Sequence, residues 1–261
     1  MTVDTAHLAV ESPYIWRARR AGRRQRLICF PHAGASAGIF ADWVDLLPPE
    51  IEPAAVQLPG RMNRIAEPPV TELAPLLKVL PVALRPILDG PFAFYGHSGG
   101  AILAFELARV LRAAGGPQPG HLFLSGLAAP AFRQRLPHLH LLPDKELAAE
   151  VVALGGIERE IAEDAYMMGA LMPLLRADFT LFERHTMASG PPLSVPITVL
   201  AGDADPRVPA EAVDAWRAET DAQFRVRRFP GGHFFFLGRA AELTGFISQT
   251  MLAPTTAGGT P

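Results

Sequence analysis

The chain has 261 residues, room for one large domain or two small ones. Hydrophobic residues make up 49% and charged ones 19%, the latter below the roughly 25% of an average globular domain, which excludes a disordered or fibrous chain. Lysine and arginine total 24 against 26 acidic residues, so the net charge of −2 supplies no drive toward nucleic acid or anionic membranes, and neither is an expected partner.

From the N-terminus, residues 1–24 read as an exposed basic lead-in. Arg17, Arg19, Arg20, Arg23, Arg24 and Arg26 precede Leu27-Ile28-Cys29-Phe30, which superficially suggests an export leader. Pro31 and His32 end that apolar run after four residues, whereas an export signal needs about 7–15. Nowhere does a run reach the roughly 18 apolar residues of a membrane helix. Cys29, the single cysteine, cannot close an intramolecular disulfide, which points to a cytoplasmic address.

Short apolar runs predict strands at Leu27–Phe30, Ala54–Gln57, Phe92–Tyr95, His121–Ser125, Ile197–Ala201 and Phe224–Phe229. Helical patterns fall at Leu73–Leu88, Ala101–Ala114, Pro209–Arg217 and Ala240–Met251. Strand and helix in alternation imply a mostly parallel sheet covered on both faces, the doubly wound α/β class. About residues 127–186 break the pattern with three helical stretches, Asp144–Leu154, Glu158–Met168 and Leu171–His185, Pro173 falling in the first turn of the last. The plain reading is surface decoration; the sharper one is a lid over a pocket at the strand ends. The core domain then spans 25–253, and 254–261 form a flexible tail.

Phe92–Tyr95 runs into Gly96-His97-Ser98-Gly99-Gly100 and then a helix: strand, G-x-S-x-G, helix, the context of a nucleophile elbow rather than of a merely structural glycine turn. Small residues are needed because the serine sits on a sharp, strained turn. A hydroxyl is a weak nucleophile until a base takes its proton, so a histidine is required downstream. His97 points away from the attack path, His32 lies upstream, and His138 and His140 fall in the insertion. His233, after the last strand and the turn Pro230-Gly231-Gly232, is the candidate base. The strand before it ends in Gly202-Asp203-Ala204-Asp205-Pro206, which offers two carboxylates. Asp205 lies deeper in the turn and is the candidate orienting acid; Asp203 is the alternative, with binding turn amides as its ordinary employment. Acyl transfer also needs two N–H donors at the developing oxyanion. Gly99, after the serine, supplies one; Ala33, in the loop Phe30-Pro31-His32-Ala33-Gly34-Ala35-Ser36, is the choice for the other. No phosphate-loop motif and no zinc-spaced Cys/His cluster occurs, so no metal or cofactor is expected.

Phe30-Pro31-His32-Ala33-Gly34, Leu58-Pro59-Gly60-Arg61, Gly96-His97-Ser98, Leu175-Arg176-Ala177-Asp178-Phe179 and Pro230-Gly231-Gly232-His233-Phe234-Phe235 together resemble the type II thioesterases. These are stand-alone α/β-hydrolases of polyketide and nonribosomal peptide assembly lines, and the resemblance covers roughly residues 25–250. It implies an α/β-hydrolase fold and a Ser98, Asp205, His233 triad. The implied substrate is an acyl thioester on the phosphopantetheine arm of an acyl or peptidyl carrier protein, cleared when stalled or aberrant. It also implies a monomer. Arg61, Arg176 and Arg207 are candidates for meeting the carrier or the phosphate, with ordinary ion pairing as the alternative. Where the family usually carries a larger residue after the nucleophile, this chain has Gly99, which predicts a wider acyl chamber. Rival readings are a general carboxylesterase or lipase, told apart by matched oxyesters, and a non-catalytic binding protein, told apart by fluorophosphonate labelling.

Overall fold

Alternation along β3 (Gln25–Phe30) shows how the core is divided: Ile28 and Phe30 pack on one face of the sheet, Leu27 and Cys29 on the other. The computed structural model describes residues 5–133 and 138–254. Its strands are β1 (Ala9–Ser12), β2 (Ile15–Arg17), β3, β4 (Ile51–Val56), β5 (Phe92–His97), β6 (Leu122–Ser125), β7 (Ile197–Gly202) and β8 (Phe224–Phe229). They form one sheet in the order β1-β2-β4-β3-β5-β6-β7-β8, parallel from β4 to β8. All six expected strands are present, and the doubly wound α/β reading holds.

The helices are α1 (Trp43–Leu46), α2 (Leu73–Ala83), α3 (Gly99–Ala113), α4 (Pro130–Arg133), α5 (Asp144–Leu154), α6 (Arg159–Glu163), α7 (Ala165–Glu183), α8 (Ala210–Asp214) and α9 (Ala240–Leu252). Leucines of α2 and the buried side of α3 cover one sheet face, and α1 and α9 cover the other. Among the described residues no helix is long and apolar enough to cross a membrane.

The expected exposed lead-in requires correction. β1 and β2 form an antiparallel hairpin that extends the sheet beside β4. The arginines are spent on structure: Arg17 pairs with Glu11 at 2.6 Å, and the fully buried Arg26 pairs with Glu52 at 2.7 Å and Asp89 at 2.9 Å. Arg20 donates to the carbonyls of Pro48 and Ile51, at 2.5 and 2.6 Å. Among the lead-in's described residues the one continuous exposed run longer than two is 21–24; Ala6, His7, Val10 and Pro13 are also exposed. With three or four residues per strand and few apolar positions, the hairpin leaves almost no period-2 signal. Of the expected tail, all but Pro254 lies outside the described residues.

In the insertion α5 has its expected bounds and ends on Gly155, left-handed at φ +84°. The next boundary differs. Asp164 breaks the expected Glu158–Met168 helix because its carboxylate accepts the N–H groups of Tyr166 and Met167, at 2.9 and 3.0 Å, capping a new helix. That helix, α7, runs on through Pro173, which is therefore interior rather than in a first turn. Leu139, Leu147, Val151, Met168, Met172 and Leu175 form a small core of their own, while Leu181 and Phe182 at the other end of α7 join the main core.

Candidate active site

Ser98 stands between β5 and α3 at φ +53° and ψ −119°, a conformation that costs a non-glycine residue of order 1–3 kcal/mol. The surroundings enforce it. A Cβ on Gly96 would lie 2.3 Å from the Gly100 carbonyl oxygen, and one on Gly100 would lie 2.1 Å from that of Phe30, so strand and helix approach closely only because both are glycine. The Ser98 N–H donates to the Ser125 carbonyl at 2.8 Å, tying the turn to β6.

Two further loops meet it at the C-terminal edge of the sheet, where open α/β sheets place their ligands. After β7 the chain turns through Asp203 to Asp205; after β8 it turns through Gly231 and Gly232 to His233. The loops are zipped together, the Ala204 N–H donating to the Gly231 carbonyl at 2.9 Å and the Gly231 N–H to Asp203 Oδ1 at 2.9 Å. Phe235 stacks on Phe229 at 5.0 Å and anchors the far side of the histidine loop. His233 Nε2 consequently stands 3.1 Å from Ser98 Oγ, and its Nδ1 stands 2.8 Å from Asp205 Oδ2. The Asp205 side chain is fully buried, and its Oδ1 accepts the Arg207 N–H at 2.9 Å. Asp203 is exposed and serves the turn amide. Ser98, His233 and Asp205, chosen from distant segments, thus form one hydrogen-bonded chain.

The other two rings nearby have different settings. His97 turns away from Ser98, its Nδ1 within 2.9 Å of Ser125 Oγ and its ring edge-on to Phe236 at 4.7 Å. Burial pushes its pKa well below the ordinary histidine value; burial, then the charges of His233 and Arg61, pushes His32 down to about 3. Both stay neutral near pH 7.

Ala33 and Gly99 line the same cavity, and among the described residues neither amide has a hydrogen-bond acceptor. At an α-helix start the first N–H groups have no partner within the helix, which leaves that of Gly99 available. The Ala33 loop is held from behind. Gly34, at φ +80°, admits Leu175, whose Cδ2 lies 2.6 Å from where a Cβ would stand, and its N–H donates to Asp178 Oδ2 at 2.7 Å. Asp178 also takes both terminal nitrogens of Arg61 at 2.7 Å. Asp178 and Arg61 are 1% and 4% exposed.

That pairing corrects the expectation for two arginines. Arg61 is buried with its donors spent on Asp178 and the carbonyls of Pro59 and Ala35. Arg176 binds the His140 carbonyl at 2.6 Å and Asp144 at 2.5 Å, joining insertion segments to one another. Arg207 alone of the three lines the cavity, 3.6 Å from Glu183. The expectation of a wider chamber at Gly99 also fails: the Phe182 ring from α7 fills the space a side chain would take. Sequence reasoning missed Phe182, although it lies three residues past the quoted Arg-Ala-Asp-Phe motif.

Ser98 and His233 open into a cavity of about 710 Å³, roofed by Val151, Leu154, Ile157, Leu171 and Phe179 of the insertion. A hydroxyl, an imidazole held by a buried carboxylate and two amides without acceptors beside a partly apolar chamber are an arrangement that could carry acyl transfer.

Comparison with known proteins gives a consistent picture. The family described as a thioesterase domain matches residues 25–251. The chain is 39% identical over 232 residues to the gramicidin S biosynthesis protein GrsT of Aneurinibacillus migulanus, covering 88% of this chain and 91% of that one. It is 37% identical over 229 residues to the thioesterase PikA5 of Streptomyces venezuelae, covering 87% and 81%. Among solved structures, the type II thioesterase BorB of the borrelidin cluster superposes with a TM-score of 0.85 at 36% identity, covering 93% and 99%. The RedJ thioesterase of the prodiginine pathway in Streptomyces coelicolor gives 0.83 at 36%, covering 94% and 91%.

Proposed function

This chain belongs to the thioesterase domain family, and from that premise we propose that Ser98, His233 and Asp205 carry its chemistry, the hydrolysis of acyl thioesters. It is a type II thioesterase of polyketide or nonribosomal peptide biosynthesis, of the editing kind. The observation that carries the proposal is the hydrogen-bonded run from Ser98 Oγ through His233 to Asp205 at the floor of the cavity.

His233 Nε2 takes the Ser98 proton as the oxygen attacks the thioester carbonyl. The amides of Ala33 and Gly99 receive the oxyanion; loss of one such donor typically costs about 10²–10³ in rate. Asp205 accepts a hydrogen bond from the Nδ1–H, which holds the ring in the productive tautomer and stabilises the imidazolium without moving the proton. Collapse expels the thiol, whose pKa near about 8.5 makes it a good leaving group, and the proton on His233 returns to sulfur. Water then gives a proton to His233 and attacks the acyl-serine, and the acid departs as Ser98 regains its hydrogen. The heavier demand falls on this second half, because water is the poorer nucleophile and an alkoxide the poorer leaving group.

The substrate we assign is an acyl group on the phosphopantetheine arm of an acyl or peptidyl carrier protein, released as free acid with the holo carrier. The carrier is the partner, the protein acts as a monomer in the cytoplasm, and the insertion serves as the lid between arm and acyl chamber. The family relationship and the roofed cavity support these assignments.

The test compares wild type and Ser98→Ala on an acyl-carrier thioester and its matched oxyester. The thioester is expected to be preferred, and the substitution to reduce turnover by roughly 10⁶. Near-normal hydrolysis by Ser98→Ala overturns the mechanism. Preference for the oxyester favours a carboxylesterase, and absence of fluorophosphonate labelling at Ser98 favours a binding protein.

A further inference from the structure

The three glycines of the elbow have different reasons to be glycine. At Gly96 and Gly100 a Cβ would strike backbone, at 2.3 and 2.1 Å, and backbone cannot step aside. At Gly99 the nearest obstacle is a side chain: a Cβ there would stand 2.2 and 2.3 Å from Cδ2 and Cε2 of Phe182. The ring therefore lies directly against the Gly99 α-carbon, beside the amide expected to receive the oxyanion. Phe182 is 4% exposed, lines the cavity, and has its other side in the main core with Leu181, Ile102 and Leu127.

The ring is held there from a distance. Phe182 lies four residues along α7 from Asp178, which binds the Gly34 amide and Arg61. Leu171, Leu175, Phe179 and Phe182 recur at helical spacing and all line the cavity, so one face of α7 forms a wall ending at the nucleophile. At that end the α- and β-carbons of a bound acyl group must pass, since the carbonyl carbon has to sit on Ser98 Oγ with its oxygen at the Gly99 amide.

We propose that Phe182 is the specificity-determining residue of this thioesterase, its ring on Gly99 limiting how long or branched an acyl chain fits beside the nucleophile. The proposal rests on the acyl-serine reading above. Short acyl groups pass the ring, and longer or α-branched ones meet it. One methylene in a close apolar pocket changes selectivity by about 10–200-fold, so removing a whole ring is a large perturbation. Because Gly99 and Phe182 occupy one space, their substitutions are coupled: Gly99→Ala drives the ring from its site unless the ring is already gone.

The experiment measures kcat/KM for acetyl-, isobutyryl- and octanoyl-pantetheine with wild type, Phe182→Leu, Phe182→Ala, Gly99→Ala and the double Gly99→Ala/Phe182→Ala variant. The octanoyl-to-acetyl ratio is expected to rise about tenfold or more in Phe182→Ala, and by less in Phe182→Leu. Gly99→Ala is expected to lose activity on all three substrates and the double variant to recover part of it. An unchanged ratio in variants that fluorophosphonate still labels overturns the proposal, as does Gly99→Ala acting equally in both backgrounds. Should Phe182→Ala fail to fold, the ratio in Phe182→Leu decides. A wild-type protein that neither labels nor hydrolyses any of the thioesters defeats the acyl-serine reading itself and takes this inference with it.

Discussion

Asp203 and Asp205 stand two residues apart in one loop with different employments. Asp205 is buried against His233 Nδ1, whereas Asp203 is exposed and holds the Gly231 amide. An amide at position 205 would present a donor to the ring and favour the wrong tautomer, and in serine proteases that exchange lowers kcat about 10⁴-fold. Asp205→Asn is therefore expected to lose activity by orders of magnitude and Asp203→Asn to keep most of it, with steady-state hydrolysis of an acyl-pantetheine as the measurement. The reverse result would exchange their roles. The residue types and their order were readable from the chain; which of the two carboxylates is sheltered was decided by how the loops after β7 and β8 zip together.

Among the elements α7 ties the insertion to the site. One end belongs to the insertion's own core, the middle is bolted by Asp178 to Arg61 and the Gly34 amide, and the other end lays Phe182 on Gly99. Asp178→Ala would leave the Arg61 charge buried without its carboxylate, a loss that typically costs about 3–5 kcal/mol. A fall of that size in urea-unfolding free energy is expected, and no measurable change would show that Arg61 finds water or another partner. The elements most legible in advance were those with long or strongly apolar patterns, such as α3 and α5. The structured lead-in was not legible, because its arginines and Arg26 at the start of β3 look like a solvated run until Glu11, Glu52 and Asp89 are placed beside them. The α6–α7 boundary was misplaced because a capping aspartate outweighed an apolar periodicity that ran across it.

For the molecule as a whole, one buried and two half-buried histidines set a pH dependence of stability. Burial holds His32 down at about 3, His121 at about 4, and His97 well below its ordinary value, while in the unfolded chain each titrates near about 6.5. Below that value the unfolded chain binds protons that the folded one refuses. The stability is fully present above about 6.5 and is lost as pH falls toward the folded values, at up to about 1.4 kcal/mol per pH unit for each ring. Urea midpoints are expected to drop between pH 7.5 and 5, and His121→Gln, far from the elbow, to flatten the curve. Equal midpoints across that range would mean the rings titrate freely in the folded protein.

The doubly wound alternation, the elbow with Ser98, the candidate base His233 and the pair of carboxylates before it were determined by the sequence alone, because strand periodicity, turn glycines and the order of loops are written in neighbouring residues. Tertiary structure decided what no neighbour encodes. Arg61 is locked to a carboxylate 117 positions away instead of facing a partner, and the room left by Gly99 is filled by a ring from the insertion. The reason is physical: a buried charge must find its counterion and a missing side chain its filler, and both come from whichever distant segment the packed sheet brings into contact.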